Sequence, residues 1–271
     1  MANEVIFSRQ NRLVKLVCSL ERKKAREELG LFRFDGIKLC LEAISKGIEP
    51  EYIFVSESRL DDIGARLSGH ELVVVSDDVF SKMSEEKSPE GVITVARRLD
   101  SLHKRAELSE NGAFSEFPKQ SERVFLLEAI RDPGNLGTIM RTAASLGIDR
   151  VVMTADCADI YNPKTIRAAM GALFMLRTDT VAEGRTEDYI KAMRADGRRV
   201  LAAALSDKAV SICDISVSQS DVFVIGNEGH GLSASTIDAC DGSVIIPMRE
   251  GCESLNAAMA AGILIWEISR A

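Results

Sequence analysis

Two runs of alternating strand and helix patterns, parted by a stretch with neither, restrict what this 271-residue chain can fold into. In the first run, short apolar segments at 31–34, 52–55, 72–75 and 92–95 read as strands, with helical spacing at 38–45 and 62–67 between them. In the second, strands are expected at 124–128, 150–153, 200–203, 222–225 and 244–246, with helices at 136–146, 164–173, 186–195 and 255–268. Alternation of this kind implies layered α/β domains, the second built on a mostly parallel sheet covered by helices. Residues 99–121 carry Ser109, Asn111, Gly112, Ser115 and Pro118 without sustained periodicity, which predicts a linker. The expected organisation is therefore a small α/β domain at 1–98, a linker at 99–121 and a larger domain at 122–271.

Hydrophobic residues make up 46% of the chain and charged residues 28%, an ordinary globular balance that excludes disorder or a coiled coil as the overall description. The longest apolar stretch, 257–266, falls short of the ~20 residues that a membrane span needs, and residues 1–12 lack a secretory layout. The expected location is the cytoplasm. The six cysteines (Cys18, Cys40, Cys157, Cys213, Cys240 and Cys252) are widely spaced with no Cys-x-x-Cys pair, so they read as reduced and mostly buried. With only His70, His103 and His230, and none beside a cysteine, a metal site is not expected.

A formal net charge of −7 argues against a nucleic-acid partner only until its distribution is considered. Residues 1–38 hold nine Lys/Arg against five Asp/Glu, so the front is positive and the remainder holds the acidic excess. Across 9–28 the apolar Leu13, Leu16, Val17, Leu20 and Leu29 recur at helical spacing, with Arg12, Lys15, Arg22, Lys23, Lys24 and Arg26 between them. This predicts one basic amphipathic helix. On its own it reads equally as a solvated face or as a phosphate-contacting surface.

The common enzyme signatures are absent: no Gly-x-x-x-x-Gly-Lys-Ser/Thr loop, no Gly-x-Ser-x-Gly elbow and no His-Glu-x-x-His helix. The run Gly226-Asn227-Glu228-Gly229-His230-Gly231 follows a strand, but its glycine spacing is not the dinucleotide fingerprint. Three loops remain. The first runs from Asp132-Pro133-Gly134-Asn135 into a helix bearing Arg141; Gly134 or Asn135 would serve as the cap, and Arg141 interrupts an otherwise small and apolar helix, where it must be exposed or paired. The second is the glycine run, in which Glu228 taken alone reads as a surface carboxylate. The third spans Ile246-Pro247-Met248-Arg249-Glu250-Gly251-Cys252-Glu253-Ser254-Leu255-Asn256, where Ser254 taken alone reads as a helix N-cap.

At these residues the sequence resembles the SpoU (TrmH) class of SPOUT-superfamily RNA 2′-O-ribose methyltransferases. Asn135-Leu136-Gly137 through Arg141-Thr142-Ala143 looks like its first motif, and Ile225-Gly226-Asn227-Glu228-Gly229 with Gly231-Leu232-Ser233 its second. Ile246-Pro247-Met248 with Glu253-Ser254-Leu255-Asn256 and Ala258 looks like its third. The stretch Lys164-Thr165-Ile166-Arg167-Ala168-Ala169-Met170-Gly171-Ala172 is similar to a family segment between the first two, and the likeness spans 122–270. Phe34-Asp35-Gly36-Ile37-Lys38 and Tyr52-Ile53-Phe54-Val55 are similar to the small ribosomal-protein-like RNA-binding domain that precedes many of these enzymes.

The resemblance implies a carboxyl-terminal SPOUT trefoil knot, S-adenosylmethionine as methyl donor, homodimerisation through the knot region, and an RNA substrate, with ribosomal RNA favoured over transfer RNA. Carried over by motif position, Gly226, Asn227, Gly229, Ile246, Met248 and Leu255 would hold the cofactor. Arg141 takes the central role in transfer, with Asn135, Glu228, Ser254 and Asn256 supporting it. Because a guanidinium stays protonated, the physically sounder role for Arg141 is to bind the phosphate beside the target ribose and stabilise the developing alkoxide. Two other readings stay open at this level: an RNA-binding protein on the same scaffold without catalysis, and a small-molecule nucleotide enzyme, which would need a phosphate loop that the sequence lacks.

Overall fold

The computed structural model describes residues 4–86, 88–206, 208–249, 251 and 254–271. Cys252, Glu250 and Glu253, which the motif reading included, lie outside the described residues. The chain forms two compact units, 1–99 with 159–174, and 100–158 with 175–271.

The first unit opens with α1 (Arg12–Ser19) and α2 (Lys23–Leu29) in place of the single helix expected over 9–28. The break has a visible cause. The buried Arg26 guanidinium donates to the carbonyls of Leu20 (2.7 Å) and Glu21 (2.8 Å), oxygens that a continuous helix would use for its own ladder. There follow β1 (Leu31–Asp35), α3 (Ile37–Ser45), β2 (Pro50–Ser56), α4 (Leu60–Arg66), β3 (Leu72–Val75), α5 (Asp77–Met83) and β4 (Val92–Arg97). The strands assemble in the order β1-β4-β2-β3, with only the β2–β3 pair parallel. Side-chain alternation sends Phe54, Ile93 and Val95 against Val14, Val17, Val79 and Phe80, while Ile53, Val55 and Val92 meet Ile37, Cys40, Ile63 and Leu67 on the other face.

The second unit is built on an eight-stranded sheet in which every pairing is parallel, as expected for its alternating pattern. Its elements are β5 (His103–Ala106), β6 (Val124–Leu127), α6 (Pro133–Ser145) and β7 (Arg150–Thr154); after α7 (Pro163–Ala169) come β8 (Arg177–Val181), α8 (Thr186–Ala195), β9 (Val200–Ala203), β10 (Val210–Ser211), β11 (Val222–Ile225), α9 (Ala234–Ala239), β12 (Gly242–Ile245) and α10 (Ala257–Ser269). The strand order is β10-β12-β9-β11-β6-β7-β8-β5.

Three features depart from the sequence reading. The stretch 99–121 is more than a connector: β5 closes one edge of the sheet, and Phe114 and Phe117 set their rings 4.7 and 5.4 Å from Tyr189. Its Lys104 and Arg105 are exposed, the kind of charged edge that deters further strand addition. β8 was hidden by its central Asp179, which is buried in a salt bridge to Arg150 at 2.5 Å. Finally, the segment 159–174 leaves the second unit and packs with the first. There Arg26 pairs with Asp159 at 2.5 Å, Tyr161 lies 4.8 Å from Phe32 and Phe174 5.3 Å from Phe34. The helix expected over 164–173 is α7 followed by a 3₁₀ turn at Met170–Phe174.

Candidate functional site

Parallel α/β sheets gather ligands beyond the carboxyl ends of their strands, so the loops after β6, β11 and β12 define where to look. The loop after β6 ends in Asp132, whose Oδ1 accepts from the Asn135 N–H at 2.8 Å and so caps α6, with Pro133 in the first turn. The cap is thus Asp132, not Gly134 or Asn135, and the Asn135 side chain is left for other work.

The loop after β11 folds back on itself. Asn227 and Gly231 exchange main-chain hydrogen bonds at 3.0 and 2.9 Å, closing a tight hairpin. A Cβ on Gly226 would stand 2.3 Å from the Gly231 carbonyl carbon, so nothing larger than glycine fits there. Asn227 sits underneath: its Oδ1 accepts from the N–H groups of Gly229 (2.9 Å) and His230 (3.1 Å), and its Nδ2 donates to the Ala129 carbonyl at 2.9 Å.

Glu228, exposed at the tip, turns toward the start of α6. Its carboxylate accepts from Asn135 Nδ2 (3.0 Å) and from the N–H groups of Asp132 (3.3 Å) and Arg131 (3.4 Å). Partial burial pushes this carboxyl up, but the hydrogen bonds from Asn135 and the main chain outweigh it and hold the group below the usual carboxylate range. Placement at a helix N-terminus favours the same charged form. A surface carboxylate of no consequence does not fit this set of partners.

From the third loop, Asn256 Nδ2 donates to Asn135 Oδ1 at 3.0 Å, while Asn256 Oδ1 accepts from the N–H groups of Ala258 (2.9 Å) and Met259 (3.3 Å). Asn256 is therefore the N-cap of α10, displacing the expectation that Ser254 would be. Glu228, Asn135 and Asn256 form one hydrogen-bonded chain, in which Asn135 at the start of α6 lies 93 and 121 positions from its two partners. Arg141 and Ser254 are exposed and have no side-chain partner among the described residues. Arg141 extends from α6, whose opposite side buries Leu136, Ile139, Met140 and Ala143. Met248 (37% exposed) and Leu255 (40% exposed) present apolar side chains, with Ile246 half-buried.

Sequence reasoning missed Ala129 and Thr154. Ala129 has a left-handed φ of 54°, and its N–H donates to Thr154 Oγ1 at 2.9 Å. Neither residue type carries a signal for such a role. Among the described residues no group of His, Cys, Asp and Glu side chains is arranged to hold a metal ion, and no helix is long and apolar enough to cross a membrane.

A parallel sheet with a folded-back glycine loop, and on the adjoining helix an exposed arginine that has no side-chain partner among the described residues, places main-chain and polar groups together beyond the strand ends, where α/β folds seat their ligands. Residues 122–266 match the SpoU rRNA Methylase family, and residues 11–94 match the MRM3-like substrate binding domain. The chain belongs to the SpoU rRNA methylase family. It is 32% identical over 265 residues to a 23S rRNA guanosine 2′-O-methyltransferase of Bacillus subtilis, covering 97% of this chain and 98% of that one. The crystal structure of an AdoMet-bound rRNA methyltransferase from Sinorhizobium meliloti superposes with a TM-score of 0.80 at 28% identity, covering 98% of this chain and 97% of the other. A SpoU methyltransferase from Streptomyces viridochromogenes, in complex with the cofactor AdoMet, gives a TM-score of 0.76 at 25% identity over 96% and 98% of the two chains.

Proposed function

We propose that this chain is an S-adenosylmethionine-dependent enzyme that methylates a ribose 2′-hydroxyl of ribosomal RNA, acting in the cytoplasm. The observation that carries the reading is the Glu228–Asn135–Asn256 chain, which ties all three family motifs to the helix that bears Arg141, a residue with no side-chain partner among the described residues. The family match and the named activities of its relatives support the reaction and its donor.

The residues present suit that donor. Adenosine and methionine moieties ask for main-chain donors and acceptors beside apolar walls. The loop closed at Gly226 offers the main-chain groups, through the Gly226 and Gly229 backbone, and Ile246, Met248 and Leu255 supply the apolar walls. Asn227 serves this site by shaping the loop, since both ends of its amide are engaged within the protein. When bound, S-adenosylmethionine supplies a methyl group on a cationic sulfur, whose departure as a neutral thioether needs little assistance.

The chain's own task is to bring up a poor nucleophile. Arg141, through its planar guanidinium fork, grips the phosphate beside the target ribose and stabilises the oxygen as it loses its proton to that phosphate or to water. Glu228, Asn135 and Asn256 hold the start of α6, and with it Arg141, against the other two loops; Ser254, exposed two residues before Asn256, is assigned to the same site by its place in the third motif.

In the first unit, the cations available to RNA are fewer than the sequence suggests. Lys23 and Lys24 stand within 4 Å of Glu27 and Glu28, and Arg26 is buried on Asp159. Arg12, Lys15 and Arg22 are exposed with no side-chain partner among the described residues, and they are the phosphate contacts of this reading. We also take the chain to be a homodimer with a carboxyl-terminal trefoil knot. Support for the dimer is the exposed stripe Met259, Ile263 and Trp266 along α10 at helical spacing. Support for the knot is the packing of α10 on α6, with Asn256 at the start of α10 hydrogen-bonded to Asn135 in the first turn of α6.

The test is transfer of labelled methyl from S-adenosylmethionine to purified ribosomal and transfer RNA, with ribose methylation mapped in the product. Incorporation into ribosomal RNA at a 2′-oxygen is expected. Incorporation only into transfer RNA would redirect the substrate, and tight RNA binding without incorporation would leave a scaffold without activity.

A further inference from the structure

The loop from Glu128 to Asp132 is pinned residue by residue from elsewhere in the second unit. The Glu128 carboxylate accepts from the Ser233 N–H and the Thr236 hydroxyl, both at 3.2 Å. The Ala129 N–H donates to Thr154 Oγ1, and its carbonyl accepts from Asn227. The Ile130 carbonyl accepts from the Ala158 N–H at 2.8 Å, and the next two N–H groups donate to Glu228. In the middle stands an alanine with φ of 54°, a conformation that a Cβ disfavours and that persists only where surroundings over-determine it. Thr154, at the end of β7, is 7% exposed; its hydroxyl proton goes to Asp156 Oδ1 at 2.6 Å, which leaves the oxygen free to accept from Ala129.

We propose that Thr154 is a positioning residue for methyl transfer: by accepting from Ala129 it keeps that alanine left-handed, and so keeps the Arg131 and Asp132 amides and the first turn of α6 aimed at Glu228. Without the acceptor, Ala129 relaxes to an ordinary negative φ, the two amides swing away, and the helix that bears Arg141 loses its register with the glycine loop. This deepens the methyltransferase reading and rests on it.

Thr154→Val keeps the shape and removes the acceptor. We expect its kcat to fall by about tenfold or more, with the KM for RNA and the S-adenosylmethionine affinity changing less than about threefold, while Thr154→Ser stays within about twofold of native. Amide hydrogen exchange at Arg131 and Asp132, followed by NMR, should quicken at least about tenfold in Thr154→Val. Glycine holds a positive φ without penalty, so adding Ala129→Gly to Thr154→Val should restore both turnover and protection. A Thr154→Val enzyme with native kcat, a Thr154→Ser enzyme as impaired as Thr154→Val, or a double variant no better than the single one would each overturn the proposal. If Thr154→Val fails to fold, the double variant decides: folding with near-native kcat supports the role, and an unfolded or inactive double variant refutes it. Should the native chain transfer no methyl to any RNA, the activity reading fails, and the exchange rates at Arg131 and Asp132 still decide whether Thr154 sets this loop.

Discussion

Arg141 on α6 and Glu228 in the glycine loop answer to opposite demands. Arg141 has no side-chain partner among the described residues, and the proposed function assigns its guanidinium to the RNA phosphate. Arg141→Lys keeps the charge and loses the planar fork, so it should lose most turnover while S-adenosylmethionine still binds, as single-turnover kinetics and calorimetry would report. Near-full turnover in that variant would remove Arg141 from its role. Glu228 makes a pH prediction. Its carboxyl is held below the ordinary value, so the charged form stabilises the folded state above an unfolded pKa of about 4.3, and that stability is lost as pH falls through the lower folded value. The difference in Tm between the native protein and Glu228→Gln should therefore be present at neutral pH and close on acidification below about pH 4. A gap that stays constant or widens toward acid would contradict the bonding described.

Among the elements, the loop after β11 tolerates change least. Gly226→Ala would drive a Cβ into the Gly231 main chain, so it should abolish cofactor binding or folding, seen as loss of the thermal shift with S-adenosylmethionine. Along α10, Trp266→Glu places a charge on the exposed apolar stripe and should give a folded monomer by sedimentation if that stripe is the self-association face. Elements of this kind differ in how openly the sequence announces them. Asn135 and Glu228 stood out only through the resemblance of their motifs to a family, whereas strands with uniform apolar runs, such as Val222–Ile225, were legible because their pattern is local. Asp179 inside β8 was not, since its burial depends on Arg150, which lies in a different strand. The helix caps are a different case: Asp132 and Asn256 win over Gly134 and Ser254 by accepting from N–H groups two or three residues on, with Pro133 following Asp132, a local signal that the sequence does carry. Ala129, like Asp179, was invisible because its partners are distant: its conformation is imposed by Thr154 and Asn227, residues 25 and 98 positions away.

At the level of the whole molecule, the first unit is expected to contribute RNA affinity through few charges. Replacing Arg12, Lys15 and Arg22 together by Gln should weaken RNA binding and flatten its log–log dependence on salt by about two, given roughly 0.7 to 0.9 per phosphate contact. A binding curve unchanged in slope would place the RNA elsewhere. The pair Arg26–Asp159 is structural: with side-chain exposures of 3% and 17%, Asp159→Ala leaves an uncompensated buried cation and should cost about 3 to 5 kcal/mol by denaturant unfolding. That pair also bears on modularity. Because the chain quits the large sheet at residue 158 and rejoins it at 175, the recognition unit is stitched from two separate lengths of polypeptide. Recombination cannot exchange it as one contiguous cassette: a graft of residues 1–99 onto a foreign methylase would arrive without Asp159, Tyr161 and Phe174, its aromatic flank bare and its guanidinium orphaned. Swapped specificity therefore calls for two coordinated insertions, so lineages that diverge in target should change this unit by point substitution sooner than by wholesale replacement.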